Sequence, residues 1–240
     1  MKIKAVLFDL DGTLLPMDQD LFVKTYIGGL IKTLAPRGYA PEDVGLAIKK
    51  STEAMFKNDG TKTNEQVFWD NFTDVLGDSV RDEEVALDEF YATDFQKLKS
   101  YCGYASESLE IVKMLKRSSI RTVLATNPLF PRVATQSRMN WAGLSTDDFE
   151  FYTTYEDNRY CKPNPKYYES ILERLGLSGE ECLMVGNDAL EDMIAEKVGM
   201  NLFLLTDNLI NTNNLDLTKY KKGGFSDLKN YLEEIINEEH

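Results

Sequence analysis

Two aspartates one residue apart, Asp9 and Asp11, close the string Val6-Leu7-Phe8-Asp9-Leu10-Asp11-Gly12-Thr13-Leu14 near the N-terminus. An apolar run ending in two carboxylates and a glycine reads as a strand that delivers both acids to one crevice. Ligands of an open parallel sheet bind there, beyond the carboxyl ends of its strands. An Asp-Gly pair alone is an ordinary turn former, but the whole Asp-x-Asp-Gly-Thr string at the end of a first strand is far more specific. The one histidine of the chain, His240, is its last residue. That excludes Ser-His-Asp and Cys-His arrangements and every His-ligated metal site. Cys102, Cys161 and Cys182 are far apart and form no Cys-x-x-Cys, so neither a disulfide framework nor a zinc site is expected. Catalysis would have to run on carboxylates, hydroxyls and lysine.

The elements that must position these groups are visible in the apolar pattern. Residues 3–8, 121–125, 181–185 and 201–205 are short apolar runs without polar alternation, as buried parallel strands are, and a further short strand fits about 149–153. Helical spacing of Leu109, Val112 and Leu115, of Tyr168, Ile171 and Leu175, and of Leu190, Met193, Ile194 and Val198 predicts helices over 106–117, 165–175 and 189–198. Strand-helix alternation of this kind predicts an α/β fold, a doubly wound Rossmann-like parallel sheet. Residues 18 to 100 differ: they read as four amphipathic helices punctuated at Pro36-Arg37-Gly38, Asn58-Asp59-Gly60 and Gly77-Asp78. Pro41 suits a first helical turn and Asn64 an N-cap. The expected organisation is a catalytic core from residues 1–16 and 101–240, with a helical cap domain inserted at 17–100. Phe68, Trp69 and Phe72 are expected in the core of that cap, and the tail gives one more helix over 225–236.

The chain resembles the haloacid dehalogenase superfamily along essentially its whole length, in four ordered motifs. The resemblance implies that Asp9 is the nucleophile that becomes an aspartyl-phosphate. Asp11 would then protonate the leaving oxygen and later activate water. In the second motif, Val123-Leu124-Ala125-Thr126-Asn127-Pro128, the Thr126 hydroxyl and the following backbone N–H of Asn127 would bind a phosphoryl oxygen. The third, Cys161-Lys162-Pro163-Asn164-Pro165, supplies a lysine that would bridge nucleophile and phosphate; alone, Lys162 would read as a solvated surface charge. Cys161 beside it is read as an inert thiol rather than one activated by that cation. The fourth motif, Val185-Gly186-Asn187-Asp188-Ala189-Leu190-Glu191-Asp192, departs from the commonest pattern, in which Asp follows the Gly directly. Mg2+ is the implied cofactor, held by Asp9, the main-chain carbonyl of Asp11, and either Asn187 or Asp188. Register favours Asn187 slightly and charge favours Asp188. Asp192 is expected to hold Lys162 or a metal-bound water.

A formal charge of −13 without a basic tract opposes nucleic-acid binding. No apolar run approaches the ~20 residues of a membrane span, and the expected location is the cytoplasm. The expected partner is a small phosphorylated metabolite, bound by a monomer or homodimer, with neither nucleic acid nor membrane. A phosphatase is the leading reading and a phosphomutase its runner-up. A haloacid dehalogenase has no use for Asp11. A phosphonate-cleaving enzyme needs a cap lysine, for which Lys24, Lys32, Lys49, Lys50, Lys57 and Lys62 are available. A non-catalytic binding module would be expected to lose Asp9, Asp11 or Lys162, and all three are present.

Overall fold

Ala5–Phe8 forms β1, and none of its four side chains is exposed, as a strand covered on both faces requires. Such side chains each contribute about 1.5–3 kcal/mol by burial of a Val, Leu or Phe, so the strand that carries Asp9 is firmly seated. The computed structural model describes residues 2–237; His240 lies outside the described residues. After β1 come four helices: α1 (Gln19–Leu34), α2 (Pro41–Phe56), α3 (Asn64–Leu76) and α4 (Glu84–Ala92). Helix α5 (Ser106–Lys116), β2 (Arg121–Leu124), α6 (Arg132–Trp141), β3 (Phe151–Tyr152), α7 (Pro165–Leu175), β4 (Cys182–Gly186), β5 (Asn201–Leu205), β6 (Lys221–Gly223) and α8 (Phe225–Asn237) follow among the described residues.

The six strands are all parallel, in the order β3-β2-β1-β4-β5-β6. This is a doubly wound Rossmann-like sheet whose order reverses at β1 and β4, the place where ligand crevices form in such folds. Register brings the strand ends level: Phe8 lies opposite Leu124 on one side and Val185 on the other. Side chains alternate between two cores, as a period of two demands. Val6, Phe8, Leu183 and Val185 pack with α5, α8 and the helical insert; Ala5, Leu7, Cys182 and Met184 pack with α7. Among the described residues no helix is long and apolar enough to cross a membrane.

The insert is held to the sheet domain largely by aromatic rings. Phe95 stacks on Trp141 of α6 at 5.2 Å, and Tyr26 of α1 meets Phe130 at 5.1 Å. Trp69 and Phe72 are buried as expected, and Phe68 is half-buried against them. Two expectations need correction. The N-cap of α3 is Thr63, whose hydroxyl accepts from the N–H of Gln66 in a reciprocal capping box; Asn64 is the first helical residue instead. Its buried amide donates to the carbonyl of Pro128 and accepts from Asn58, tying the insert to the loop after β2. The helix expected over 189–198 is a loop followed by a short 3-10 turn at Met193–Val198. There the Asp188 carboxylate accepts from the N–H groups of Leu190 and Glu191, and the Tyr168 hydroxyl donates to the carbonyl of Glu191, so the backbone groups an α-helix would need are engaged elsewhere. Helix α6 and strand β6 were not anticipated.

Candidate active site

The ladder that pairs β1 with its neighbours runs on past the strand ends. Asp9 N–H donates to the carbonyl of Val185 at 2.9 Å, and Ala125 N–H donates to that of Phe8 at 2.7 Å. Asp9, Thr126 and Asn187 therefore leave the sheet side by side. Beyond Asp9 the chain reverses over Leu10 to Leu15, with Leu15 N–H bonded to the Leu10 carbonyl and Gly12 N–H to that of Leu15, both at 2.8 Å. Gly12 sits at φ +84°, and a Cβ there would lie 2.4 Å from Asn187 Nδ2. Only glycine permits both the reversal and this close approach.

Asp9 is almost fully buried. Its Oδ1 accepts from Lys162 Nζ at 2.8 Å and its Oδ2 lies 3.3 Å from Thr13 Oγ1. The Thr13 hydroxyl also lies 2.9 Å from Asn187 Oδ1. One hydroxyl proton thus faces two acceptor oxygens. Asn187 Nδ2 donates to the Asn208 carbonyl at 2.7 Å, which fixes its amide with the oxygen toward Thr13 and Asp9. Asp188 faces the same cavity, but its Oδ1 is taken by the two backbone N–H groups.

Lys162 is wholly buried, not a surface charge: its ammonium sits between Asp9 at 2.8 Å and Asp192 at 2.6 Å. Burial opposes that charge, yet Asp192 and Asp9 outweigh it and hold the ammonium well above its ordinary value. Burial pushes Asp192 up to about 7 against the pull of Lys162. The other oxygen of Asp192 accepts from Asp188 N–H, and Gly186 leaves it the room, since a Cβ there would lie 2.1 Å from that carboxylate. Thr126 lines the cavity, with its carbonyl held by Thr153 and Tyr167 hydroxyls. Asn127 brackets Lys162: its Oδ1 accepts from Lys162 N–H at 3.2 Å, and its Nδ2 donates to Glu191 at 2.9 Å. Cys161 is inert, its thiol pushed up chiefly by burial and by Glu191.

Asp9, Asp11, Thr126, Asn127, Asn187 and Asp188 line one cavity of about 150 Å³; Lys162 reaches it through Asp9 without lining it. Sequence reading missed the partner of Asp11. Arg138, on α6 and fully buried, ion-pairs with Asp11 Oδ2 while its guanidinium lies 4.2 Å from the Phe130 ring centroid. Asp11 Oδ1 is buried without a partner, and the Asp11 carbonyl accepts from Gln19 Nε2 at 2.8 Å. Burial raises the Asp11 carboxyl, Arg138 works against this, and the neighbouring Asp9 adds to it. Glu191 was also missed; burial pushes it up to about 8. An arginine on a helical face shared with Ala134, Met139 and Trp141 was the available signal for Arg138.

The haloacid dehalogenase-like hydrolase family matches residues 3–198. The pyrophosphatase PpaX of Bacillus cereus (strain AH820) is 29% identical over 190 residues, 78% of this chain and 76% of that protein. Among solved structures, a HAD phosphatase from Thermococcus onnurineus superposes with a TM-score of 0.60 at 20% identity, over 96% of this chain and 98% of the other. L-2-haloacid dehalogenase from Xanthobacter autotrophicus gives 0.58 at 17%, over 96% and 98%. The HAD-hydrolase YfnB of Bacillus subtilis, bound to magnesium, gives 0.55 at 17%, over 97% and 99%. The chain belongs to the haloacid dehalogenase-like hydrolase family.

Proposed function

We propose that the protein is a magnesium-dependent phosphatase of a small phosphorylated metabolite and works through a phosphorylated Asp9. The observation that carries this reading is the arrangement around Asp9: a buried ammonium 2.8 Å from one carboxylate oxygen and the Thr13 hydroxyl, shared with Asn187, beside the other. A carboxylate attacks phosphorus only when the like charges are screened, and Lys162 is fixed where it does so. The Asp9 carboxylate displaces the alcohol oxygen from phosphorus, forming the acyl phosphate as the ester P–O bond breaks. Asp11 gives its proton to the departing oxygen. It then takes a proton from water, whose oxygen attacks phosphorus and breaks the bond to Asp9, releasing inorganic phosphate. Arg138 occupies one oxygen of Asp11 and leaves Oδ1 for this transfer, and the raised affinity of Asp11 for a proton suits the donor role.

The donor set fits magnesium. Asp9, the Asp11 carbonyl, and Asn187 or Asp188 are all hard oxygens, and among the described residues no three acids converge into a closed cage. Magnesium suits such an open set, since it keeps several waters. The orientation of the Asn187 amide favours Asn187 over Asp188. Bound there, the ion would neutralise phosphoryl oxygens. The helical insert, residues 17–100, acts as a cap that excludes bulk water. The magnesium-bound relative and the pyrophosphatase and phosphatase names among the relatives support this reading, and pyrophosphate belongs in any substrate panel.

The test is hydrolysis of p-nitrophenyl phosphate. Turnover should require magnesium, vanish in EDTA, and fall at least about a thousandfold in Asp9→Asn. Wild-type turnover by Asp9→Asn refutes the nucleophile; undiminished turnover in EDTA refutes the metal. Isomerised sugar phosphates as products would replace the phosphatase with a mutase.

A further inference from the structure

A second and larger cavity, about 450 Å³, opens between the helical insert and the sheet domain, and Leu129 lines both it and the phosphate-sized one. That volume lies in the range of about 300–1,000 Å³ typical of small-molecule sites. Its walls are aromatic: Phe68, Trp69, Tyr91 and Tyr155 all face it. Phe68 meets Tyr155 at 6.2 Å and Trp69 at 6.0 Å between ring centroids, so the rings form one continuous wall. Aromatic faces attract cations through their quadrupole.

The charges point the same way. Glu65, Glu84, Asp88 and Glu156 line this cavity, against a single cation, Arg132. Arg132 is already spent: its guanidinium bonds Asp157 at 2.7 Å. Glu84 is answered in part by Arg81, 3.7 Å away, which also lies 4.1 Å from the Trp69 ring centroid. Glu65, Asp88 and Glu156 keep the field negative. Glu156 Oε1 accepts from Arg132 N–H at 2.7 Å, but its Oε2 is buried with no partner. A buried carboxylate oxygen of this kind calls for a positive charge or a donor beside it. Burial and the nearby Glu156 raise Glu65 against the pull of Arg81, so a further cation would relieve Glu65 as well.

We propose that this cavity binds an organic ammonium ion, its alkyl groups against Phe68, Trp69 and Tyr155 and its charge answered by Glu156 and Glu65. Binding itself demands nothing of the phosphatase reading. Only the further identification of the ammonium as part of the substrate's leaving group rests on that reading, through the shared residue Leu129.

Titration calorimetry with choline tests it, using the uncharged isostere 3,3-dimethyl-1-butanol as control. Choline should bind at least about tenfold tighter than the isostere. Glu156→Gln, which keeps the acceptor for Arg132, and Glu65→Gln should each weaken choline by about tenfold. Both should leave magnesium-supported p-nitrophenyl phosphate hydrolysis unchanged. No binding, equal binding of the isostere, or wild-type affinity in both variants overturns the proposal. Hydrolysis without choline binding sinks the ammonium site alone; choline binding without hydrolysis supports it and sinks the phosphatase reading alone. Competitive inhibition of hydrolysis by choline supports an ammonium carried by the substrate, whereas binding with unaltered kinetics supports a separate ligand at the same cavity.

Discussion

Replacing Arg138 with methionine isolates the one strong interaction around Asp11 that the sequence hides. Arg138 is fully buried, ion-paired to Asp11, and packed 4.2 Å from the Phe130 ring centroid. Methionine keeps most of the apolar stem and removes the charge. Breaking a buried pair by deleting one partner costs about 3–5 kcal/mol, and the lost ring contact adds up to about 2 kcal/mol. Asp11 can limit the damage by taking up a proton. Its folded value then lies further above the ordinary 3.8, and a carboxyl raised on folding costs stability as pH climbs past the unfolded value. Each pH interval above 3.8 adds about 1.4 kcal/mol, so the escape costs about 4 kcal/mol at pH 7 and less than about 2 kcal/mol at pH 5. Urea unfolding followed by circular dichroism in EDTA should therefore show a loss of about 3–5 kcal/mol at pH 7 that shrinks by at least about 1 kcal/mol at pH 5. A double-mutant cycle with Asp11→Asn should give a coupling of about 2–3 kcal/mol at pH 7. Coupling below about 0.5 kcal/mol, the level expected of independent sites, with no pH trend, would falsify the claim that Arg138 serves Asp11.

Glu191→Gln should flatten the pH dependence of stability: the wild type loses up to a few kcal/mol as pH rises from the ordinary 4.5 through about 8, and melting in EDTA at pH 5 and pH 8 reads the difference. Gly12→Ala should cost about 1–3 kcal/mol for its left-handed backbone, and the displaced Asn187 should lower turnover beyond what that stability loss explains. Asn187→Asp should be less stable than wild type in EDTA, because a carboxylate then faces both Asp9 and the Asn208 carbonyl. Its midpoint should rise more than that of the wild type on adding magnesium, and an equal rise would argue for Asp188 as the ligand.

The strands were legible because Val6, Leu7 and Phe8 are apolar on both faces, and only a doubly covered strand needs that. Helix α6 was not, because its buried face includes Thr135, Ser137 and Arg138, which read as solvent-facing until their partners are known. The partner of Arg138 lies 127 residues away in the chain, and no local pattern carries that distance. The loop after β4 was misread for the opposite reason. Leu190, Met193, Ile194 and Val198 have helical spacing, but the side chains of Asp188 and Asp192 compete for the backbone. The N-cap expected at Asn64 lies one residue earlier, where Thr63 and Gln66 satisfy the cap between them. At the site, the sequence places Asp9, Thr126 and the pair Asn187 and Asp188 beside one another because each lies within two residues of the end of a strand whose register is fixed. Arg138, Glu191 and the aromatic cavity depend on packing between distant elements.

The charges at the site determine what it can accept. Among the described residues, Asp9, Asp188 and Asp192 cluster there beside Asp11 and Glu191, whose burial favours their neutral forms, and the two cations that face them, Lys162 and Arg138, are each already bonded to a carboxylate. A phosphate dianion entering such a cavity meets the Asp9 carboxylate with no unpaired cation beside it among the described residues. On the proposed reading a positive ion supplements Lys162, and hard oxygens are already turned toward one another around the single proton of Thr13. On that reading, asparagine rather than aspartate at 187 would lower the negative charge there by one, so a divalent ion would be held less tightly but would leave more net positive charge for the substrate. The same reasoning explains why Lys162 is buried. An exposed ammonium would be screened by water to about 1 kcal/mol at 4 Å, whereas one enclosed between Asp9 and Asp192 keeps both its position and most of its field for the phosphoryl group that the proposed mechanism puts on Asp9.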